Sequence, residues 1–271
     1  MKYDLIAIDI DGTLLNSTLQ LTKPVFDAVQ RVVDSGVKIV LCTGRPYPGA
    51  EDYMKKLGLT QEGDYIINYH GALVQRTDTG QIIIDHQLSY KDMIKWNDLA
   101  KTYESNFQAV RNDGVYTEQT DFSPKALTEP FVNEMPLRVR RLKDLDKKLP
   151  YSKFMMKNGA PVTQNLEDHV PMELRKDYTV IRSEADSLEV LNKLASKGQA
   201  LKELANILEI PRERVMAIGD SGNDIDMVDY AGLGVAMGNA VSEVKDVADV
   251  ITHTNDEHGV AVAIERYFFE E

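Results

Sequence analysis

Short apolar runs alternate with amphipathic segments along the first third of the chain. Apolar runs at 3–10, 37–42 and 65–68 predict buried strands. Between the first two runs, valines spaced at i, i+4, i+7 and i+8 over 25–33 predict one face of a helix. A second helix is predicted over 47–57, between the second and third runs. Strands separated by helices predict a parallel sheet, because a parallel crossover needs about a dozen residues.

The last third of the chain repeats this alternation. An apolar stripe over 201–208 predicts a helix, followed by short apolar runs that are typical of buried strands. The predicted strands lie at 215–218, 233–236 and 249–251, with a short helix near 240–247 and a last helix from about 257. Both ends of the chain therefore predict the same α/β architecture.

The middle of the chain has a different pattern and a different charge. Strands are predicted at 81–84, 153–157 and 188–191, and a helix over 90–105. Residues 85–195 hold 17 Lys+Arg and 18 Asp+Glu, although the whole chain has a net charge of −12. We therefore expect 85–195 to be a large inserted α+β domain, with 1–84 and 196–271 folding together as the core.

Composition excludes several classes of protein. A net charge of −12 argues against a nucleic-acid partner, which normally meets a basic face. The single cysteine, Cys42, cannot form an internal disulfide and is expected in the core at the end of a strand. No apolar run approaches the 18 or so residues of a membrane helix, and Asp9 and Asp11 interrupt the apolar N-terminal run. We expect a cytoplasmic protein with no membrane partner; the pattern predicts no oligomeric state.

Two carboxylates stand where the first predicted strand ends, in Asp9-Ile10-Asp11-Gly12-Thr13. Buried acids at the carboxyl end of a strand repel one another unless a cation or a shared proton relieves them. The same edge of a parallel α/β sheet is where ligands bind. The alternative is an ordinary Asp-Gly turn with a capping aspartate.

A second acidic loop follows the predicted strand at 215–218. Asp220, Asn223 and Asp224 offer oxygen donors within five residues, which suit a hard cation. Asp220 comes first and is the expected metal ligand. Asp224 is expected as an outer ligand behind it, and Asn223 as a donor to a bound oxyanion. The alternative is a helix N-terminus with acids placed on its dipole.

Two further positions offer donors to a phosphate group. Thr43 and Gly44 follow the second predicted strand with a hydroxyl and exposed amides, and Lys197 precedes a predicted helix. Neither a Walker sequence nor a Gly-x-Gly-x-x-Gly fingerprint is present. The sequence thus offers acids that can bind a metal, a candidate nucleophile, hydroxyl and amide groups that can hold a phosphate, and one cation. This combination favours phosphoryl transfer.

In chain order, the four motifs are Asp9-x-Asp11-Gly-Thr, Thr43-Gly-Arg, Lys197 and Gly219-Asp220-x-x-Asn223-Asp224. In this order they resemble the four motifs of the haloacid dehalogenase-like (HAD) superfamily. The long insert between the second and third motifs is similar to the α/β cap of its Cof-type sugar phosphatases. The resemblance implies a Rossmann-like parallel-sheet core closed by a mobile cap. It also implies Mg2+-dependent hydrolysis of small phosphate monoesters, with sugar phosphates as the expected substrates.

The resemblance also implies roles for individual residues. Asp9 corresponds to the nucleophile that forms an aspartyl phosphate, and Asp11 to the general acid and base. Mg2+ would be held by the carboxylates of Asp9 and Asp220 and by the backbone carbonyl of Asp11. The phosphate cradle implied by the family consists of Thr43, Gly44, Lys197 and Asn223.

The chain departs from the family after the third strand. Many relatives have Asn-Gly-Ala there, whereas this chain has His70-Gly71-Ala72.

Two other functions share the motifs: a phosphomutase on hexose phosphates, which returns the phosphoryl group to a sugar, and a phosphometabolite-binding protein without catalysis. The binding protein is disfavoured because Asp9, Asp11 and Asp220 are all present.

Overall fold

The computed structural model describes residues 2–121 and 127–270 of the chain. The described residues form two compact units. The first comprises the described residues up to Gly44, then Ala50–Asp85 and the chain from Ser196 onward. The second comprises Arg45–Gly49 and the described part of His86–Ala195.

The described residues form the following strands and α-helices, in chain order. The strands are β1 (Leu5–Asp9), β2 (Lys38–Cys42), β3 (Tyr65–Asn68), β4 (Leu73–Arg76), β5 (Ile82–Asp85), β6 (Asn106–Arg111), β7 (Gly114–Thr117), β8 (Leu137–Val139), β9 (Lys153–Lys157), β10 (Tyr178–Glu184), β11 (Ser187–Asn192), β12 (Val215–Gly219), β13 (Leu233–Ala236) and β14 (Val250–Ile251). The α-helices are α1 (Lys23–Asp34), α2 (Tyr47–Lys56), α3 (Tyr90–Thr102), α4 (Thr128–Val132), α5 (Ala160–Asp168), α6 (Met172–Asp177), α7 (Lys197–Ile207), α8 (Ile225–Tyr230), α9 (Ser242–Val247) and α10 (Gly259–Ile264).

An eight-stranded sheet forms the first unit, in the order β14-β13-β12-β1-β2-β3-β4-β5. Pairing is parallel from β14 to β3, while β4 and β5 add an antiparallel edge. This arrangement confirms the α/β, Rossmann-like core predicted from the alternating pattern. Ile8 pairs with Ile218 and Asp9 with Cys42, so the carboxyl ends of the three central strands lie side by side.

Burial explains why the central strands are apolar throughout. All five residues of β1 and all five of β12 are buried, as expected for parallel strands covered on both faces. Apolar side chains of α7, among them Leu201 and Leu204, pack with strand residues such as Leu5 and Val40 in one core cluster. Cys42 belongs to this cluster, and burial raises the pKa of its thiol, as expected of a core residue.

The second unit contains a six-stranded sheet in the order β10-β11-β9-β6-β7-β8. Its strands pair antiparallel except for β7 with β8. Trp96 of α3 is fully buried in the core of this unit, beside Phe107 and Phe154. Across the described residues of both units, no helix combines the length and the apolar character needed to span a bilayer.

Candidate active site

The loop after β1 places Asp9 at the carboxyl edge of the central sheet. Asp9 is the last residue of β1 and only 5 % exposed. An irregular turn over Ile10–Leu14 follows, in which Gly12 has φ +83°. A Cβ on Gly12 would lie 2.5 Å from a carboxylate oxygen of Asp220. The glycine therefore allows both the left-handed turn and the close approach of the two acidic loops.

The loop after β12 brings Asp220 against the first loop. The Thr13 hydroxyl donates to Asp220 Oδ1 at 2.8 Å. Within the second loop, the backbone N–H groups of Asp220 and Ser221 both donate to Asp224 Oδ2 at 3.0 Å. The side chain of Asp224 is fully buried, and it fixes the loop that carries Asp220.

Lys197, the first residue of α7, connects the two acidic loops. Its side chain is fully buried and donates to Asp9 Oδ1 at 2.5 Å and to Asp224 Oδ1 at 2.6 Å. Burial alone would lower the pKa of this ammonium, but Asp224 and Asp9 outweigh burial and raise it. Lys197 is therefore charged at neutral pH.

Asp9, Asp220 and Asp224 form a three-carboxylate cluster, of which Asp9 and Asp224 contact the Lys197 ammonium. Asp9, Asp220 and Asp224 each offer one oxygen, and the three oxygens lie within 4.8 Å of one another. Burial raises the pKa of Asp9, with the neighbouring charge of Asp224 adding to the effect and Lys197 partly offsetting it. Burial likewise raises the pKa of Asp220. An excess of buried negative charge with oxygen donors is suited to a divalent metal ion.

Of the other predicted phosphate-binding residues, Thr43 and Gly44 lie in the loop after β2, and Asn223 lies in the loop after β12 that also carries Asp220. Thr43 is buried, and its carbonyl accepts from the backbone N–H of His70 at 2.9 Å. Asn223 Nδ2 lies 2.9 Å from His70 Nδ1. Gly44 lies so close to the His70 ring that a Cβ on this glycine would fall 2.3 Å from its Cε1 atom. The loops after β2, β3 and β12 therefore meet at His70.

Asp11 differs from the other predicted acids. Its side chain is exposed, and it does not contribute an oxygen to the three-carboxylate cluster. Asp9, Asp220, Asp224 and Lys197 are thus brought together, whereas Asp11, two residues after Asp9, is exposed.

Asn239 belongs to the site and does not follow from the motif analysis. Its Nδ2 donates to the carbonyl of Gly12 at 2.9 Å and lies 3.5 Å from Asp220 Oδ2. It stands in the turn after β13, the next parallel strand beyond β12. A search for polar residues after every predicted parallel strand, including strands without a recognised motif, would have indicated Asn239.

Comparisons with known proteins agree with this geometry. The family model described as haloacid dehalogenase-like hydrolase matches residues 6–264. "Putative phosphatase YxeH" of Bacillus subtilis (strain 168) is 41% identical over 262 residues, which cover 97% of each chain. The 5-amino-6-(5-phospho-D-ribitylamino)uracil phosphatase YitU of the same organism is 30% identical over 275 residues, 98% of each chain.

Solved structures show the same relationship. A haloacid dehalogenase-like hydrolase from Bacteroides thetaiotaomicron has a TM-score of 0.89 and 33% identity, covering 98% of this chain and 100% of that one. The chain therefore belongs to the haloacid dehalogenase-like hydrolases. It is an enzyme of the phosphoric monoester hydrolase class, as the motifs predicted.

Proposed function

We propose that this enzyme is a Mg2+-dependent phosphatase of small phosphate monoesters, in particular sugar phosphates, and that it acts through an aspartyl phosphate on Asp9. The observation that carries the proposal is the position of Asp9. Its carboxylate lies at the carboxyl edge of the sheet, 2.5 Å from the ammonium of Lys197 and within the three-carboxylate cluster. A nucleophile for phosphoryl transfer needs nearby positive charge of this kind.

The donor set fits Mg2+. The carboxylates of Asp9 and Asp220, with the backbone carbonyl of Asp11, would hold the ion. Asp224 is less suited to direct contact, because Oδ1 accepts from Lys197 and Oδ2 from two backbone N–H groups. When bound, Mg2+ supplies positive charge that stabilises phosphate oxygens in the transition state.

Asp9 and Asp11 divide the chemistry between them. A carboxylate oxygen of Asp9 forms a bond to phosphorus while the bond from phosphorus to the substrate oxygen breaks. Asp11 donates a proton to that leaving oxygen, and then takes a proton from the attacking water. The water oxygen bonds to phosphorus as the bond from phosphorus to Asp9 breaks, which releases inorganic phosphate and restores the Asp9 carboxylate. The side chain of Asp11 is exposed, a position that suits a group acting on both the leaving oxygen and the attacking water.

The remaining residues bind the phosphoryl group. The Thr43 hydroxyl, the Gly44 amide, the Asn223 amide and the Lys197 ammonium would donate to its oxygens. Because Lys197 is held by Asp9 and Asp224, its charge is positioned before substrate arrives.

Sugar phosphates are proposed from the resemblance to Cof-type enzymes and from the substrate named for YitU. That compound carries phosphate on a ribityl chain, a polyhydroxylated carbon chain like that of a sugar. We further propose that the inserted segment 85–195 selects the alcohol part of the substrate, as a cap does in the family.

Phosphate release from a panel of phosphorylated sugars and polyols, with Mg2+ or with a chelator, tests the proposal. We expect release with Mg2+ that chelation abolishes reversibly. Asp9→Asn should abolish turnover, because an amide does not attack phosphorus. Asp229→Asn, an exposed aspartate on α8, is the matched control and should remain active.

Other outcomes would contradict the proposal. Turnover in chelator would refute the metal requirement, and activity of Asp9→Asn would refute the nucleophile. Isomerisation of a hexose 1-phosphate to the 6-phosphate without free phosphate would identify a phosphomutase instead.

A further inference from the structure

His70 lies where three loops of the first unit meet. Its backbone N–H donates to the carbonyl of Thr43 in the loop after β2. Its ring Nδ1 lies 2.9 Å from Nδ2 of Asn223 in the loop after β12. With 9 % exposure, the side chain is nearly enclosed by these neighbours. None of the four motifs includes this residue.

The ring also lies against the Gly44 α-carbon. A Cβ on Gly44 would be 2.3 Å from Cε1 and 2.4 Å from Nε2 of His70, closer than side-chain atoms approach. Only glycine at position 44 leaves room for the ring. Since the Gly44 amide is a proposed phosphate ligand, His70 packs directly against the phosphate-binding loop.

The backbone at His70 has an unusual conformation. Its φ of +55° and ψ of 29° are left-handed, and Tyr69 before it also has a positive φ. Non-glycine residues seldom adopt this region, and they keep it where surrounding structure enforces it, often at functional sites. The surrounding structure therefore holds the His70 backbone, and with it the ring beside Asn223, in one place.

Hydrogen-bond chemistry assigns a direction to the contact between His70 and Asn223. A side-chain NH2 group only donates, so Nδ1 of His70 accepts from Asn223, and a neutral ring carries its proton on Nε2. One N–H of the planar Asn223 amide is then held by His70. The direction of its second N–H is fixed by that contact.

We propose that His70 is a positioning residue that orients the Asn223 amide toward the phosphoryl group of the substrate. The proposal rests on the proposed function, in which Asn223 binds phosphate. His70 acts through Asn223 and takes no part in bond making or breaking.

Three variants at position 70 separate this role from simple packing. Asparagine places an acceptor oxygen near the position of Nδ1, glutamine places its polar group near the position of Nε2, and alanine removes both. We expect His70→Ala and His70→Gln to raise KM, and the inhibition constant of inorganic phosphate, about tenfold, the effect of one lost hydrogen bond. The value of kcat should change little, because the lost binding is common to substrate and transition state.

The conservative variant and a double-mutant cycle complete the test. His70→Asn should retain KM within about twofold of wild type. In an Asn223→Ala background, His70→Ala should cause no further loss, because the group it positions is absent. The proposal is overturned if glutamine substitutes as well as asparagine does, or if His70→Ala weakens phosphate binding equally in both backgrounds.

A matched control tests whether any comparable histidine has the same effect. His258 also has a left-handed φ, +61°, and its Nδ1 lies 3.0 Å from the Thr22 hydroxyl. His258→Ala should leave KM and phosphate inhibition unchanged. An equal loss in His258→Ala would show that the effect at position 70 is not specific to Asn223.

Histidine NMR provides a readout that does not depend on catalysis. Long-range 1H–15N spectra of the substrate-free enzyme should show the His70 proton on Nε2 and an accepting Nδ1. A proton on Nδ1 would overturn the positioning role. If wild-type enzyme hydrolyses no phosphate monoester, the proposed function fails, while the tautomer and the binding of inorganic phosphate still report on His70 and Asn223.

Discussion

Replacing Lys197 by methionine removes the only ammonium that contacts Asp9 and Asp224 among the described contacts, while keeping an unbranched side chain of similar length. Both carboxylates remain buried, at 5 % and 0 % exposure, so neither gains water in exchange. Removing one partner of a buried ion pair typically destabilises a protein by about 3–5 kcal/mol. We expect a loss of this size in the metal-free enzyme, and a smaller one with Mg2+, because the proposed ion would offset the charge of Asp9, one of the two carboxylates that lose their partner.

Urea unfolding followed by circular dichroism measures this effect. The single tryptophan, Trp96, is buried in the second unit, so its fluorescence does not report directly on the site. Lys202→Met, at an exposed position of the same helix, is the matched control and should change the free energy of unfolding by less than about 0.5 kcal/mol. If Lys197→Met in chelator is as stable as this control, the account of a buried charge cluster is wrong.

Two further predictions concern Gly12 and pH. Gly12→Ala should reduce activity, and it should lower the free energy of unfolding, measured by urea unfolding, more than Gly36→Ala does. Both glycines have φ near +80°, but only a Cβ at position 12 would clash with Asp220. Equal losses in the two variants would refute the steric clash at position 12. Burial raises the folded-state pKa of Asp9 and of Asp220. In the metal-free enzyme, the contribution of these two groups to the free energy of unfolding is therefore present at low pH, and it is lost as the pH rises through their folded-state pKa values. The gain in the free energy of unfolding on adding Mg2+ should therefore increase from about pH 4 to about pH 7, and an equal gain at both pH values would contradict this.

The core of the fold was predictable because its strands are continuous apolar runs. β1, β2, β3 and β12 are buried on both faces, and hydrophobicity alone identifies them. In the second unit, β6 and β10 were not predicted. β6 contains the fully buried Gln108, and most of β10 is only partly buried or exposed, so neither has a clear apolar period. α8 has six residues, too few to show a helical repeat.

Most residues of the candidate site could be predicted from the sequence, whereas their contacts could not. Asp9 and Asp220 each stand at the end of an apolar strand, and the topology of a parallel sheet brings such ends together. Nothing local indicates that Lys197, which is 188 residues from Asp9, pairs with two buried carboxylates instead of facing solvent. Asn239 and the His70–Asn223 contact depend on loop conformations that tertiary packing decides.

The central claim is that the phosphoryl group is transferred to Asp9. Rapid acid quenching of enzyme turning over a phosphate monoester with Mg2+, followed by peptide mass spectrometry, tests it most directly. The account predicts a phosphoryl adduct on the peptide containing Asp9, absent from Asp9→Asn and from enzyme treated with chelator. An adduct on another residue, or steady turnover by Asp9→Asn, would contradict it.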